Sequence, residues 1–165
     1  MANLESLLLR LTQHHVEYVV VGGFAAVAHG VSLLTQDIDI CCRFTADNLF
    51  RLQEAISELH PVHRMTPKRL PLHLTRERCA DLKNLYLDTD WGQLDCLGSV
   101  LGIGDYEEVA KGSIEIKLGG GRCRVLDINE LIKAKEAMGR PRDKETVIQL
   151  RAIQERNKGE PSNLD

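Results

Sequence analysis

The chain has 165 residues, of which 43% are hydrophobic, and its 21 Lys and Arg against 24 Asp and Glu give a formal net charge of −3. This length is typical of one domain, so we expect a single domain over residues 1–156 and a polar tail over 157–165. Because the net charge is slightly negative, a protein that coats nucleic acid through an extensive basic surface is excluded.

The cysteines exclude two further classes of protein. There are five of them, and none stands in a C-x-x-C pair: Cys41, Cys42, Cys79, Cys96 and Cys123. Such a set fits neither a disulfide framework nor a four-cysteine zinc site. The first residues lack the features of a signal peptide, and no apolar run is long enough to span a bilayer. We therefore expect a cytoplasmic protein without a membrane partner.

The first half of the chain predicts helices that alternate with strands. Leucines at positions 4, 7, 8 and 11 recur on one helix face, and the β-branched run Tyr18–Val21 is stopped by Gly22-Gly23. We expect a helix over 4–14 capped by Asn3, a strand over 18–21, a short helix over 24–29, a strand over 37–42 and a helix from the Thr45 cap to about residue 59.

The second half predicts two hairpins and then two helices. Residues 60–75 contain three prolines, so we expect irregular chain there, part of which could pair as a strand. We expect one hairpin with strands over 82–87 and 93–97, and a second with strands over 114–118 and 123–126.

Two helices are predicted after the hairpins, and they complete the fold class. Either Asp127 or Asn129 begins a helix that runs through Met138, and Asp143 caps a last helix to about Glu155. The elements together predict an α+β fold with a mixed, twisted sheet of about five strands flanked by helices.

Two carboxylates on the second strand are the first candidate functional residues. Side chains on a strand alternate between its faces, so Asp37 and Asp39 project to one side and Ile38 and Ile40 to the other. Neighbouring buried carboxylates repel each other unless a cation offsets their charge, and oxygen ligands of this kind suit Mg²⁺. The alternative is that both acids line the solvent face of an edge strand.

The glycine pair before these acids adds a candidate phosphate site. Gly22 and Gly23 lie between a strand and a predicted helix, where bare backbone N–H groups can face a phosphate. A plain tight turn is the alternative. The segment matches neither a P-loop nor the G-x-G-x-x-G dinucleotide pattern.

Gly-Gly followed by Asp-hydrophobic-Asp-hydrophobic on the next strand resembles the nucleotidyltransferase fold of the DNA polymerase β superfamily, and the resemblance covers most of the chain. It implies a third carboxylate on a later strand, for which Asp95 is the best match. Asp88 and Asp90 fit less well because they lie in or beside the predicted turn.

The C-terminal part is similar to small bacterial nucleotidyltransferases related to abortive-infection toxins. The segment 130–135 followed by 139–143 carries this likeness, which matches the family's lysine to Lys135 and its aspartate to Asp143. The chain departs from the family at Leu33, where an arginine often stands two residues before the threonine, here Thr35.

Helix periodicity singles out Lys135 independently. At roughly 100° per residue, Lys135 falls within the apolar arc of Leu131, Ile132 and Met138, whereas Lys133 points to the opposite side. A lysine in such an arc either extends its ammonium to solvent or reaches an anion in a cleft, and we favour the cleft.

The resemblance implies an enzyme that transfers a nucleoside monophosphate from a nucleoside triphosphate to an acceptor hydroxyl and releases pyrophosphate. Asp37, Asp39 and Asp95 are the candidate ligands of two Mg²⁺ ions and, with Lys135, the candidate catalytic residues. The candidate nucleotide-binding residues are Gly22, Gly23, Thr35, Lys135 and Arg140.

The acceptor is left open by the sequence. The resemblance allows a short RNA end such as that of tRNA, a protein hydroxyl as in toxin–antitoxin pairs, or a small molecule such as an aminoglycoside or a lincosamide. The charge balance makes a long nucleic-acid footprint the least supported of these.

Two alternative functions remain. Loss of the arginine at Leu33 favours a catalytically weak or inactive module that binds a protein partner in an antitoxin-like role, although three clustered acids argue against it. A metal-dependent phosphohydrolase, with water as the acceptor, would use the same acids.

Overall fold

The fold is described for residues 3–159 of a computed structural model. The strands of this part of the chain are β1 (Tyr18–Val21), β2 (Asp37–Cys42), β3 (Val62–His63), β4 (Asn84–Thr89), β5 (Gly92–Leu97), β6 (Ser99–Val100), β7 (Gly104–Asp105), β8 (Ser113–Leu118) and β9 (Gly121–Leu126). The helices are α1 (Leu4–Gln13), α2 (Gly22–Ala28), α3 (Ala46–Ile56), α4 (Arg76–Asp81), α5 (Tyr106–Lys111), α6 (Ile128–Met138) and α7 (Pro141–Gly159).

The main sheet is mixed, and its order is β3-β4-β5-β2-β1-β9-β8. Strand β2 lies near its centre, parallel to β5 and antiparallel to β1. A separate two-stranded sheet is formed by β6 and β7. The predicted α+β class with a mixed sheet is confirmed. The sheet has seven strands where we expected about five. Six of them correspond to the strands that the sequence analysis located, and the seventh, β3, lies in residues 60–75, where part of the chain was expected to be able to pair as a strand.

The hydrophobic core lies on both faces of this sheet. All four residues of β1 are buried, as a central strand covered on both sides requires. On α1, Leu7, Leu8 and Leu11 are fully buried, and this helix packs against α3 and β9. Burial of one such leucine contributes roughly 1.5–3 kcal/mol. Helix α2 packs against β1, β2 and α6.

The structure contains elements that our sequence analysis missed. Helix α4 is capped by Thr75 and helix α5 by Asp105, whose side chains accept hydrogen bonds from the N–H groups of Arg78 and Glu108. Both helices have only six residues, so they show little periodicity. Asp105 and Glu108 have the spacing of a capping box, a signal that could have located α5.

Four helix ends differ from prediction. Asn3 makes no side-chain capping bond, and α2 begins at Gly22, so the glycine pair is its first turn. Helix α7 begins at Pro141. Proline is favoured in a first turn because the backbone N–H that it lacks would have no hydrogen-bond partner within the helix. The helix continues to Gly159, so the start of the predicted tail is helical, and residues 160–165 lie outside the described part.

Thr45 caps α3 as predicted, and Asp127 rather than Asn129 caps α6. Within residues 3–159, none of the helices is both long and apolar enough to cross a membrane.

Candidate active site

Three predicted acids meet on one face of the sheet. Strands β2 and β5 are parallel and place Asp39 directly opposite Asp95, while Asp37 lies two residues earlier on the same face of β2. One carboxylate oxygen from each residue lies within 4.8 Å of the other two, and all three side chains are partly buried. We call Asp37, Asp39 and Asp95 the acid trio.

The acid trio concentrates negative charge in a partly buried place. Burial, followed by the charges of Asp37 and Asp95, raises the pKa of Asp39 to about 6. Burial also raises the pKa of Asp95, against the opposing effect of a hydrogen bond from Arg64. Three carboxylates at this separation form a set of hard oxygen donors that fits Mg²⁺ or Mn²⁺.

Gly22 allows the close approach of α2 to the acid trio. Its φ is +70°, and a Cβ built on it would overlap Asp39 Oδ2 and lie 3.0 Å from Asp39 Cβ. Any other residue at this position would combine left-handed backbone strain with displacement of the Asp39 side chain. Position 22 therefore requires glycine, because a larger residue would displace the side chain of Asp39.

Thr35 contacts Asp37 of the trio, and Gly23 lies beside Thr35. A Cβ on Gly23 would be 3.4 Å from Leu33 Cδ2 and 3.6 Å from Thr35 Oγ1, which are ordinary contacts. The Thr35 hydroxyl is 3.0 Å from the Asp37 carbonyl oxygen and 3.2 Å from Asp37 Oδ1, and it can donate to either. Thr35 thus orients the loop and the side chain of Asp37.

Lys135 is buried, 9% exposed, on the inward face of α6. Its Nζ lies 3.4 Å from Asp143 Oδ1. Lys133 points away and pairs with Glu130, which agrees with the helix periodicity. Leu131 is buried as expected, but Met138 at the end of the predicted arc is 43% exposed.

Asp143 joins Lys135 to Arg140. The guanidinium of Arg140 donates from Nε to Asp143 Oδ2 at 2.6 Å and from Nη2 to Oδ1 at 3.1 Å. The hydrogen bond from Arg140 and the charge of Lys135 hold the pKa of Asp143 below its ordinary value, against the effect of burial. We call these three residues the Asp143 cluster.

The prediction that Asp143 is the N-cap of the last helix is wrong. It stands in the first turn of α7, three residues after Arg140, and its Oδ2 accepts a hydrogen bond from the Arg140 backbone N–H at 3.2 Å. This is the reciprocal half of a capping box. The helix starts earlier than expected because Pro141 is accepted in its first turn.

Two cavities meet at the acid trio. The smaller cavity, of about 270 Å³, is lined by Gly23, Leu33, Thr35 and residues of the α7 first turn. The larger cavity, of about 510 Å³, is lined by Gly22, Tyr86, Asp95 and apolar side chains of β5, β6, α6 and the segment after β6. The residues that line both are Asp37, Asp39, Lys135, Arg140 and Arg142.

Arg64 is a site residue that sequence reasoning missed. It follows β3 in the segment over 60–75 that we expected to be irregular, and its backbone N–H donates to the Tyr86 carbonyl oxygen at 2.9 Å. Its guanidinium donates from Nη2 to Asp95 Oδ1 and stacks over the Tyr86 ring. No local motif signals this contact, because 31 residues separate Arg64 from Asp95.

Comparison with solved structures identifies the fold. A Thermotoga maritima protein described as a nucleotidyltransferase (TM1012) superimposes with a TM-score of 0.57 at 20% identity, over 88% of either chain. This chain has the nucleotidyltransferase fold. The fold that the Gly-Gly and Asp-x-Asp pattern implied is thus confirmed.

Two proteins whose descriptions name antibiotics share this nucleotidyltransferase fold. The lincosamide antibiotic adenylyltransferase LnuA, with lincomycin bound, has a TM-score of 0.60 at 15% identity, over 91% of this chain and 95% of that chain. The antibiotic-resistance factor ANT(2'')-Ia, in complex with adenylyl-2''-tobramycin, has a TM-score of 0.55 at 14% identity, over 93% of this chain and 96% of that chain. Neither a protein-family model nor a curated protein matches the sequence.

Proposed function

We propose that this protein transfers a nucleoside monophosphate from a nucleoside triphosphate to a hydroxyl group of a small acceptor molecule and releases pyrophosphate. The observation that carries the proposal is the acid trio, which lies between two cavities in a nucleotidyltransferase fold. In this reaction the acceptor oxygen bonds to the α-phosphorus, and the bond from that phosphorus to the β-phosphate bridging oxygen breaks. The acceptor loses its hydroxyl proton, and the bridging oxygen leaves with the pyrophosphate.

The acid trio would hold divalent cations, two Mg²⁺ ions in the form that we propose. Asp37 and Asp39 line both cavities and would be ligands of both ions. Asp95 lines only the larger of the two cavities. When bound, such cations offset charge on the reacting phosphate and lower the pKa of the acceptor hydroxyl. We therefore assign Asp95 to the acceptor side, where its carboxylate would take up the hydroxyl proton.

The smaller cavity is assigned to the β- and γ-phosphates. Gly23 and Thr35 line it on one side, and Lys135 and Arg140 supply positive charge on the other. Polyphosphate needs such a combination of cations and small residues, because it is highly charged and must approach the backbone closely.

The larger cavity is assigned to the acceptor, which would enter from the side opposite the leaving pyrophosphate. Its wall includes Val100, Leu101, Leu131 and Met138, which offer an apolar surface. Among the described residues, the only acids that line this cavity are those of the trio. Three basic residues, Lys135, Arg140 and Arg142, line it as well. This charge pattern favours an acceptor with an apolar body and few positive charges over a polycation.

The assignment to a small acceptor draws on LnuA and ANT(2'')-Ia, whose names link them to antibiotics. A short RNA end and a protein hydroxyl are the other acceptors that the sequence allowed. The relation to abortive-infection toxins and the cytoplasmic location stay predictions.

The experiment that tests the proposal is release of labelled pyrophosphate from the four common nucleoside triphosphates with Mg²⁺. Acceptors to be supplied are lincomycin, tobramycin, tRNA and a mixture of proteins. We expect turnover with the wild type, loss of turnover in the Asp37→Asn, Asp39→Asn double variant, and no loss in Asp81→Asn, which removes an exposed acid that lines neither cavity. Unchanged turnover in the double variant would refute the proposal.

A non-catalytic binding module is the second candidate, and two observations favour it. Leu33 lines the smaller cavity at the position where the resemblance leads us to expect an arginine, and Arg64 already pairs with Asp95. Calorimetry with each triphosphate and Mg²⁺ separates the two candidates, because absence of binding to all four would support the module.

A further inference from the structure

The smaller cavity contains three cationic side chains that differ in their partners. Lys135 and Arg140 both direct their charge at Asp143, Arg140 through two hydrogen bonds and Lys135 at 3.4 Å. One carboxylate thus offsets one of these two positive charges, and both groups are held in place by it.

Arg142 differs from Lys135 and Arg140 in its charged partners. Within residues 3–159 it forms no ion pair with an acidic side chain, although it lines both cavities, as Asp37 and Asp39 also do. Its place in the first turn of α7 is fixed by the backbone, where its carbonyl oxygen accepts a hydrogen bond from Thr146 Oγ1 at 2.9 Å. Glu145, on the same helix, is an exposed acid that also lines the smaller cavity.

Leu33 lies in the same cavity, on the loop between α2 and β2. Its Cδ2 lies 3.4 Å from the position that a Cβ on Gly23 would take, so an apolar side chain lies beside Gly23. The loop is fastened to α7 by a hydrogen bond from the Ser32 N–H to Gln149 Oε1 at 3.1 Å. Residues 33 and 142 therefore line one cavity whose two walls are held together.

We propose that Arg142 binds the β- and γ-phosphates of the nucleotide and supplies the positive charge that Leu33 does not. This inference rests on the proposed function. The guanidinium of Arg142 pairs with no carboxylate of residues 3–159, and its planar donor set matches phosphate oxygens. Its role requires that triphosphate binding depend on Arg142 and that monophosphate binding be independent of it.

The test measures equilibrium binding in the presence of Mg²⁺, and it needs no acceptor. The probes are inorganic tripolyphosphate, the four nucleoside triphosphates and the corresponding monophosphates. The variants are Arg142→Gln, the charge-keeping Arg142→Lys, and the double variant Leu33→Arg with Arg142→Gln. Lys144→Gln is the matched control, since it removes an exposed positive charge from the same helix outside both cavities.

We expect Arg142→Gln to weaken binding of tripolyphosphate and triphosphates about tenfold, the effect of losing one charged hydrogen-bonding partner. Monophosphate binding should stay within about twofold of the wild type, and Arg142→Lys should lose less than Arg142→Gln. Leu33→Arg in the double variant should recover part of the lost affinity. Glu145→Gln, which removes an acid from the cavity, should strengthen triphosphate binding.

Two negative results have different meanings. If the wild type binds the probes and Arg142→Gln behaves like Lys144→Gln, the role of Arg142 is overturned and the proposed function stands. If the wild type binds neither tripolyphosphate nor any triphosphate, the proposed function itself fails. Thermal unfolding of each variant is measured beside binding, and Arg142→Lys decides the case if the neutral variant loses its fold.

Discussion

Arg64 and Asp95 form an ion pair that brings a guanidinium against the acid trio. Their side chains are 21% and 14% exposed, so solvent screens the pair only in part. The hydrogen bond from Arg64 lowers the pKa of Asp95, while burial, the larger effect, raises it. The site therefore includes a cation that competes for the oxygens of one predicted metal ligand.

Replacement of Arg64 by Gln should increase the affinity of the protein for divalent cations. Repulsion between a guanidinium and a divalent ion on the same carboxylate amounts to roughly 1–3 kcal/mol in a partly exposed site, so we expect a gain of about tenfold. The affinity for Mn²⁺ is measured from the loss of the electron paramagnetic resonance signal of free Mn²⁺ on titration with protein. Arg69→Gln is the matched control. Arg69 belongs to the same segment and pairs with Asp88, outside the trio, and its side chain is 61% exposed. An equal gain in both variants would show that only net charge matters.

Replacement of Gly22 by Ala should both destabilise the protein and displace Asp39. The added Cβ meets the Asp39 side chain, and the φ of +70° adds left-handed strain of about 1–2 kcal/mol. We expect a loss of about 2–3 kcal/mol in the free energy of unfolding by urea, together with weaker Mn²⁺ binding. Gly120→Ala, at a glycine with open space around the position of a Cβ, should leave both quantities near wild type.

Replacement of Asp143 by Asn should destabilise α7 and free the charges of Lys135 and Arg140. Removing one partner of a fully buried pair costs about 3–5 kcal/mol, but Arg140 is 40% exposed, so we expect about 2–3 kcal/mol. Urea denaturation at pH 7 measures this loss. A variant as stable as the wild type would mean that the Asp143 cluster contributes no stability.

The contribution of Asp143 should also depend on pH. Because its pKa in the folded protein lies below its ordinary value, its charge stabilises the fold above about pH 4, and this stability is lost as pH falls through the lowered pKa. The difference in unfolding free energy between wild type and Asp143→Asn should therefore shrink from pH 6 toward pH 3. A difference that grows on acidification would contradict the sign of this shift.

Replacement of Asp39 by Asn should stabilise the metal-free protein at pH 8, although Asp39 is a candidate catalytic residue. The ionised carboxylate is partly buried beside Asp37 and Asp95, and the amide removes this repulsion and the cost of burying a charge. We expect a gain of roughly 1–3 kcal/mol in thermal or urea unfolding with a chelator present. Adding Mg²⁺ should stabilise the wild type and have little effect on the variant.

The local elements and the pattern of the site could be predicted from the sequence because they depend on short repeats. Alternation on β2 placed Asp37 and Asp39 on one face, and helical periodicity separated Lys135 from Lys133. Asp95 was found by resemblance, since nothing local to it shows that β5 lies beside β2.

Tertiary structure decided the contacts between distant segments. The parallel register of β2 and β5 places Asp95 opposite Asp39, and the chain after β3 brings in Arg64 from a segment without regular pattern. The Asp143 cluster and the two cavities arise in the same way, from the packing of α6 and α7 against the loop that contains Leu33. Backbone periodicity is local and can be recognised in a sequence, whereas the pairing of charges across a sheet depends on register and packing, which only the folded chain determines.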